Sequence, residues 1–336
     1  MQRRTYFRHS SLAGTAPPTL VQTILAVTTA LLLAACGSSG SGSSPTNTAA
    51  WSGPCPLDEP EFRRVDVGEV ELNVACQGSG PTVVLLHGFP EFWRGWAGVM
   101  SELAGKYRLI APDQRGYNLS DKPDGIEAYE TERLVADAAA LIEHVSSEPV
   151  ILVGHDWGGA VAWPTASLHP ELVRALVIAN APHPDVFARL LASSSDQQRA
   201  SGYIDLFVSP QAETVLAGSD YGVLRGIFTG VLDDAELAHY RDAWAQPGAL
   251  TGMLNWYRAT FANPSPTVLE NLYVEMPTLV LWGMRDVALL PLNLDGLEEF
   301  VPDLRVERFD DATHWIIHEE TRAVASSIDR FVSSLH

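Results

Sequence analysis

The stretch Val-Ile-Leu-Val-Gly-His-Asp-Trp-Gly-Gly at positions 150–159 constrains the fold of this chain more than any other. Its first four residues are apolar and three of them are β-branched, which predicts a strand buried on both faces. Gly154 and Gly158 then flank Asp156, and a helix-like run over 160–169 follows. Small residues at this spacing are typical of a tight strand-to-helix turn that exposes one strained, reactive side chain at the end of a sheet.

The residue at the centre of this turn, Asp156, indicates which reaction the protein can perform. A carboxylate with a pKa near ~4 is ionised at neutral pH, so it can attack an electrophilic carbon without a general base. The product of that attack is an ester of the enzyme itself. The alternative is a glycine-rich turn in which Asp156 only caps the following helix.

Hydrolysis of such an ester needs a general base to activate water and a third group to orient that base. Asp286 follows a predicted strand at 278–283, and His314 follows the next predicted strand at 304–309. The order nucleophile, acid and then histidine is the one expected for this kind of fold. The alternatives are a loop-capping Asp286 and a structural His314.

Four other histidines compete for the role of general base, namely His87, His155, His169 and His183. We expect His87 and His155 to hold their turns through structural hydrogen bonds. His169 and His183 are expected at the surface or at a hinge. The sequence therefore favours His314 as the base.

Two backbone amides are candidates for an oxyanion hole, which stabilises the negative charge that develops on an ester carbonyl under attack. One belongs to Trp157, directly after Asp156, and the other to Phe89 in the run His-Gly-Phe-Pro at 87–90. Pro90 has no N–H of its own to compete with them.

Strands and helices alternate over residues 61–182 and again over 272–336, which predicts an α/β core with a mostly parallel, doubly wound sheet. A two-stranded hairpin around Gly68 is expected at one edge, and one helix over 316–335 at the end of the chain. Residues 183–271 lack buried-strand patterns and predict an inserted helical lid. Ligand chemistry is expected at the carboxyl ends of the parallel strands.

Residues 1–36 resemble a bacterial lipoprotein signal peptide. A cationic start with three arginines precedes an apolar run over 20–33, which ends in Leu-Ala-Ala-Cys. This ending resembles a lipobox, and it implies that Cys36 is acylated and anchors the enzyme to a membrane of the cell envelope, facing the periplasm or the exterior. An ordinary cleaved signal and an uncleaved anchor are the alternatives. Residues 37–60 are expected to form a flexible tether.

Charge and cysteine content narrow the classes of partner and compartment. The formal net charge is −19 at pH 7 and no basic stripe is visible, which argues against binding of nucleic acid. Cys55 and Cys76 are the two cysteines that follow the leader, and in an exported protein we expect them to form one disulfide. No cluster has the spacing of metal ligands, so no metal is expected.

Four motifs together indicate a family, and they are His-Gly-Phe-Pro at 87–90, Asp-Gln-Arg-Gly-Tyr at 113–117, Gly-His-Asp-Trp-Gly-Gly at 154–159 and Thr-His-Trp at 313–315. They resemble the Asp-nucleophile branch of the α/β-hydrolases, and within it the chain is most similar to the soluble epoxide hydrolases. The likeness spans roughly residues 62–334 and excludes the leader. Asn118 departs from the pattern, because the family usually has Gly there.

The resemblance implies an α/β-hydrolase fold and a small apolar epoxide that is opened with water to a diol, without an organic cofactor. It also implies two lid tyrosines that bind the epoxide oxygen and protonate it, which we assign to Tyr203 and Tyr257. The alternative is that these tyrosines only pack the lid. The apolar pocket is expected to be lined by His87, Pro90, Phe92, Trp93, Phe207, Trp256 and Trp315.

Two other functions stay open. Haloalkane dehalogenases use the same Asp, His and Trp, but they tend to have another donor where Phe89 stands and to lack the tyrosine pair. A non-catalytic lipoprotein could use the same fold for binding alone. Phe89, Trp157, Tyr203 and Tyr257 together favour the epoxide.

Overall fold

The computed structural model of this protein describes residues 51, 53–263 and 269–335. The leader with Cys36 and the tether up to residue 50 lie outside the described residues. Within the described part of the predicted tether, residues 51 and 53–60, two side chains are packed into the folded domain. Trp51 and Cys55 are buried, because Trp51 packs against the guanidinium of Arg63 and Cys55 is bonded to Cys76.

The strands among the described residues form a single mixed sheet. Its strands are β1 (Glu61–Asp66), β2 (Glu71–Gly78), β3 (Thr82–Leu86), β4 (Arg108–Pro112), β5 (Val150–His155), β6 (Val173–Ala179), β7 (Thr278–Gly283) and β8 (Leu304–Phe309). Their order across the sheet is β1-β2-β4-β3-β5-β6-β7-β8. The edge hairpin β1–β2 and the pair β2–β4 are antiparallel, and all other pairs are parallel.

Helices cover both faces of this sheet. The described α-helices are α1 (Ala97–Leu103), α2 (Thr131–Val145), α3 (Trp157–Leu168), α4 (Pro184–Ser193), α5 (Ser195–Ala200), α6 (Tyr203–Phe207), α7 (Ala212–Ile227), α8 (Asp234–Trp244), α9 (Ala249–Tyr257), α10 (Ile316–Glu319) and α11 (Thr321–Ser333). Among the described residues, we find no helix that is both long and apolar enough to span a membrane.

Alternation of side chains along the central strands creates two apolar layers. Val83, Leu85 and Val153 pack with α1 and α11 on one face of the sheet. Val84 and Leu152 pack on the opposite face with α2 and α3. Because β3 to β7 are buried on both faces, their sequences are nearly continuous apolar runs.

The helices α4 to α9 lie between β6 and β7 in the chain and form the lid. Their apolar residues Leu224 and Trp244 belong to the same buried cluster as α2 and α3. The single helix expected over 316–335 is wrong, because Glu320 (φ −125°, ψ 35°) separates α10 from α11. The short α10 holds the residue before His314, because the carboxylate of Glu319 accepts hydrogen bonds from the amide and hydroxyl of Thr313 at 2.7 and 2.8 Å.

Asn118 adopts a backbone conformation that explains why it stands where the family usually has Gly. Its φ is +39°, in the left-handed region that favours glycine and that Asn tolerates better than most residues. The Asn118 amide also donates to Asp113 Oδ2 at 2.9 Å.

The disulfide joins the segment before the sheet to its second strand. Cys55 and Cys76 have their Cα atoms 5.8 Å apart and are separated by 21 residues. Beside it, the Trp51 amide donates to the carbonyl of His144 at 3.0 Å. The disulfide therefore closes a loop that contains β1 and β2 as far as Cys76.

Removal of this disulfide is expected to lower the free energy of unfolding by about 3 kcal/mol, the entropy of closing a loop of this length in the unfolded chain. The measurement is urea unfolding of Cys55→Ala/Cys76→Ala and of wild type, each with and without reductant. Reductant should destabilise wild type and leave the variant unchanged. A loss below about 1 kcal/mol would contradict the expectation.

Candidate active site

The turn at Asp156 has the strained geometry that the sequence predicts. Asp156 joins β5 to α3 with φ 51° and ψ −121°, a positive φ that non-glycine residues rarely adopt. A Cβ atom added to Gly158 would lie 2.1 Å from the carbonyl oxygen of Leu86 at the end of β3. The turn can pass this close to β3 only because position 158 lacks a side chain, and Asp156 is thereby fixed at the carboxyl ends of the strands.

His314 lies between two carboxylates. Its Nε2 is 3.5 Å from Asp156 Oδ2, and its Nδ1 is 2.7 Å from Asp286 Oδ2. The structure therefore brings together the three residues that sequence order assigns to nucleophile, acid and base. The arrangement matches the general pattern in which a carboxylate orients a histidine toward the nucleophile.

Asp286 is held by a set of donors that includes one residue the sequence analysis missed. Its Oδ1 accepts from the amides of Ala288 and Leu289 at 2.9 and 2.8 Å. The Asn180 side chain donates to Asp286 Oδ2 at 2.8 Å and accepts from the amide of Gly283 at 2.8 Å. The signal for Asn180 was its place directly after β6, which pairs with the strand that precedes Asp286.

The electrostatics favour a charged resting triad. Burial alone would lower the pKa of His314, but the carboxylates of Asp286 and Asp156 raise it well above its ordinary value. Burial likewise opposes ionisation of Asp286, and His314 nevertheless keeps its pKa below the ordinary value. Each group therefore stabilises the charged form of the other, which favours an imidazolium against a carboxylate.

The two predicted oxyanion donors border the nucleophile. The Phe89 amide donates to Asp156 Oδ1 at 2.8 Å. Trp157 is the first residue of α3, so its N–H is one of those that a helix leaves without an internal acceptor. The Phe89 amide therefore lies where negative charge on the Asp156 carboxyl can be stabilised, and the role of the Trp157 amide stays a prediction.

Tyr203 and Tyr257 reach the same cavity as Asp156 from two lid helices. Tyr203 begins α6 and Tyr257 ends α9, and their ring centroids are 6.3 Å apart. Burial raises the pKa of both phenols well above the ordinary value, with the negative charge of Asp156 acting in the same direction. Both tyrosines are therefore protonated at neutral pH and can donate a hydrogen bond.

The cavity above Asp156 has a volume of about 410 Å³. Its wall is mostly apolar, and residues from α2, α3, the lid and the segment before β7 contribute to it. The main apolar side chains are Leu134, Val161, Phe187, Leu191, Phe261 and Leu272. A single π-helical turn, Arg258–Ala262, follows α9 and lines the cavity through Ala259, Thr260 and Phe261.

The pocket lining predicted from the motifs is wrong. Among the described residues that line the cavity, we find none of the seven expected ones, namely His87, Pro90, Phe92, Trp93, Phe207, Trp256 and Trp315. The three tryptophans and two phenylalanines pack against other aromatic side chains. Phe207, for example, packs tilted against Phe89 and edge-on against Tyr257, with centroids 4.9 Å apart in both pairs.

Polar contacts explain why several of these residues are structural. His87 Nε2 accepts from the amide of Gln114 at 3.0 Å, and its Nδ1 contacts the carbonyl of Gly88 at 2.9 Å. The carbonyl of Pro90 accepts from the indole N–H of Trp244 at 2.6 Å. Trp256 donates from its indole to the carbonyl of Arg115 at 2.9 Å.

The other three residues of the predicted lining pack in separate aromatic contacts. Phe92 contacts Tyr240 with centroids 5.1 Å apart, and Trp93 contacts Phe62 of the edge hairpin at 4.9 Å. Trp315 packs beside His314, with centroids 4.8 Å apart, and against Phe228, with centroids 4.4 Å apart.

A buried carboxylate that sequence reasoning missed lies behind the triad. Glu91 is within hydrogen-bond distance of His155 Nδ1 (3.1 Å), His318 Nε2 (2.6 Å) and the Tyr240 hydroxyl (3.0 Å). The Nε2 of His155 in turn contacts the carbonyl of His314 at 2.9 Å. Glu91 therefore links the loop after β3, the turn after β5, α10 and the lid, and it supports the backbone of His314.

His183 is fully buried at the start of α4 rather than exposed, and its ring stacks on Phe300 with centroids 4.4 Å apart. Burial lowers its pKa to about 4. The unfolded chain therefore binds a proton at His183 between about pH 6.5 and 4, and the folded protein does not. The stability contributed by the neutral ring is present above about pH 6.5 and is lost as the pH falls.

The free energy of unfolding of wild type should fall between pH 7 and pH 5. In His183→Gln this fall should be smaller by about 2 kcal/mol. Urea unfolding of variant and wild type at the two pH values measures this difference, whatever the absolute stability of the variant. His169→Gln, at a half-exposed position on the surface, is the matched control. An unchanged pH dependence in His183→Gln would contradict the assignment.

Comparison with known proteins agrees with this geometry. The family model for the alpha/beta hydrolase fold matches residues 81–321. AB hydrolase superfamily protein YfhM from Bacillus subtilis (strain 168) is 39% identical over 287 residues, which span 83% of this chain and 100% of that protein. Epoxide hydrolase 2 from Caenorhabditis elegans is 33% identical over 282 residues, 80% of this chain and 79% of that protein.

A solved structure of an epoxide hydrolase is also similar to this chain in fold. An epoxide hydrolase from Bacillus megaterium, crystallised with an inhibitor, has a TM-score of 0.76 and 33% identity, and the match covers 81% of this chain and 100% of that one. The chain therefore belongs to the α/β-hydrolase family, and within it to the epoxide hydrolase-like enzymes. The resemblance and the fold class inferred from its motifs are confirmed.

Proposed function

We propose that this enzyme opens an epoxide to a vicinal diol through a covalent ester of Asp156. The observation that carries the proposal is a nucleophile and two phenols in one largely apolar cavity, with a histidine against the nucleophile. Asp156 and the protonated phenols of Tyr203 and Tyr257 line it, and His314 lies against Asp156 from the triad side. A nucleophile, an acid for the leaving oxygen and a base for water are the groups that this reaction needs.

In the first half of the reaction, a carboxylate oxygen of Asp156 attacks one ring carbon of the epoxide. The bond between that carbon and the ring oxygen breaks, and the oxygen takes a proton from Tyr203 or Tyr257. The resulting tyrosinate takes a proton from water, and the hydroxide that this leaves takes the proton of the resting His314 imidazolium, so that His314 is neutral when the second half begins. An alkoxide is a poor leaving group in an apolar cavity, so a phenol within hydrogen-bond distance should stabilise the transition state.

In the second half, neutral His314 removes a proton from water and the hydroxide attacks the carboxyl carbon of the Asp156 ester. The amides of Phe89 and Trp157 stabilise the oxyanion. The bond between the carboxyl carbon and the alkyl oxygen then breaks, and the alkyl oxygen takes the proton held by His314. The regenerated carboxylic acid of Asp156 gives its proton to His314, which restores the carboxylate and the imidazolium of the resting enzyme, and the diol leaves.

Ester formation itself prepares His314 for its role as base. Asp156 and Asp286 together raise the pKa of His314 in the resting enzyme. Conversion of Asp156 to a neutral ester removes one of these two negative charges, so the pKa of His314 falls. The same histidine therefore supports an ionised nucleophile in the first half and becomes a better proton acceptor in the second.

Variants of the reacting residues test the proposal with styrene oxide and a bromoalkane, with diol and bromide assayed together. Asp156→Ala should form no diol, and Tyr203→Phe/Tyr257→Phe should reduce diol formation at least about 100-fold. His314→Gln should accumulate the ester, seen as an increase in intact protein mass by one substrate molecule. Tyr273→Phe, at an exposed tyrosine that does not line the cavity, is the matched control.

Two outcomes would contradict the proposal. Bromide release without diol, persisting in the double tyrosine variant, would assign the site to a dehalogenase, because a halide leaves without a proton. Diol formation that survives Asp156→Ala would exclude the ester intermediate.

We propose in addition that the leader places the enzyme in the bacterial cell envelope. The support is sequence alone: a cationic start, an apolar run and Leu-Ala-Ala-Cys ending at Cys36. Cys36→Ser should move the protein from the membrane fraction of its bacterial host to the soluble fraction. Retention of the variant in the membrane fraction would overturn acylation at Cys36.

A further inference from the structure

The charged side chains that line the cavity all have the same sign. Among the described lining residues, these are Asp156, Glu130, Asp185 and Glu270, and we find no lysine, arginine or histidine. Three of the four lie away from the reacting carboxylate, at the ends of loops and helices around the cavity. The charged side chains that a ligand meets among these lining residues are therefore all negative.

Arginines close to the cavity in sequence are held by other carboxylates. Arg258 directly follows Tyr257, and it donates to Glu213 at 2.7 and 2.8 Å. Arg189 in α4 donates to Glu299 at 3.1 Å. The acidic partners of these two guanidinium groups, Glu213 and Glu299, do not line the cavity. Among the described lining residues, the cavity carboxylates therefore have no basic neighbour.

The three outer carboxylates have different roles. Both oxygens of Asp185 accept backbone N–H groups, from Asn271 at 2.9 Å and Leu272 at 3.1 Å, so this residue fixes the cavity wall. Glu130 precedes α2 and accepts from the Asn263 amide at 3.1 Å through one oxygen, Oε1. Glu270 is solvent-exposed. Glu130 and Glu270 can therefore act on a ligand directly, whereas Asp185 acts mainly through the fold.

We infer that the cavity accepts neutral and cationic apolar epoxides and discriminates against epoxides that carry a carboxylate, with Glu130 and Glu270 as the residues that set this preference. The inference rests on the proposed function and names its substrate class. Like charges in a cleft with low-dielectric walls repel more strongly than in water, and specificity often depends on such a repulsive element. The apolar wall supplies affinity that does not depend on charge.

Three aryl glycidyl ethers that differ in one para substituent test the inference. The substituents are carboxylate, the neutral carboxamide and aminomethyl, which is an ammonium group at pH 7. At low ionic strength, kcat/KM should be at least about tenfold lower for the carboxylate than for the carboxamide, and the ammonium compound should equal or exceed the carboxamide. Added salt should narrow these differences.

A charge-matched pair of variants locates the effect. Glu130→Gln/Glu270→Gln should raise the ratio of kcat/KM for the carboxylate to that for the carboxamide by about fivefold. Glu143→Gln/Glu148→Gln removes the same charge from exposed positions near the start of β5, at the end of the sheet opposite Asp156, and should leave the ratio unchanged.

The outcomes separate this inference from the function on which it rests. Equal kcat/KM for the carboxylate and the carboxamide would overturn the inference and leave epoxide hydrolysis standing. A fivefold rise in the control variant as well would assign the effect to net charge and overturn the roles of Glu130 and Glu270. Absence of diol from all three compounds would overturn the proposed function and the inference together.

Discussion

The close approach of the turn after β5 to the end of β3 is the constraint on which the site depends. Position 158 must be glycine because a Cβ there would meet the carbonyl of Leu86 at 2.1 Å. The same contact fixes Asp156 with a positive φ and 2.8 Å from the amide of Phe89. Backbone strain at one residue therefore supplies both the exposure of the nucleophile and its first hydrogen-bond donor.

Neighbouring strand ends then determine the rest of the triad. β5, β6 and β7 are adjacent and parallel, so the residues after them meet at one edge of the sheet. Asp156 follows β5, Asn180 follows β6 and Asp286 follows β7. Asn180 orients Asp286, which holds His314 at 2.7 Å, so sheet order determines this part of the geometry.

The lid is joined to the core by aromatic side chains that donate hydrogen bonds. Trp244 donates to the carbonyl of Pro90, Trp256 to the carbonyl of Arg115, and the Tyr240 hydroxyl to Glu91. Each of these side chains combines a large apolar surface with one polar atom that must be satisfied when buried. They fix the lid helices so that Tyr203 and Tyr257 can face Asp156.

Sequence reasoning succeeded where local pattern determines position and failed where tertiary packing does. The strands, the lid and the order of Asp156, Asp286 and His314 follow from periodicity and from strand ends that meet at one edge. The pocket lining was predicted wrongly because aromatic residues such as Trp256 lie next to reactive ones in sequence, yet their N–H groups direct them to backbone carbonyls. Glu91, Glu130 and Glu270 could not be predicted, because their neighbours come from distant segments.

The most direct test of the proposed covalent mechanism is a single turnover in H₂¹⁸O with enzyme in excess over epoxide. Attack of water on the carboxyl carbon of the ester leaves the diol with an oxygen from Asp156 and puts the label into the protein. The account therefore predicts unlabelled diol in the first turnover and ¹⁸O in the peptide that contains Asp156. Label in the diol of the first turnover would show direct attack of water on the epoxide and would contradict the account.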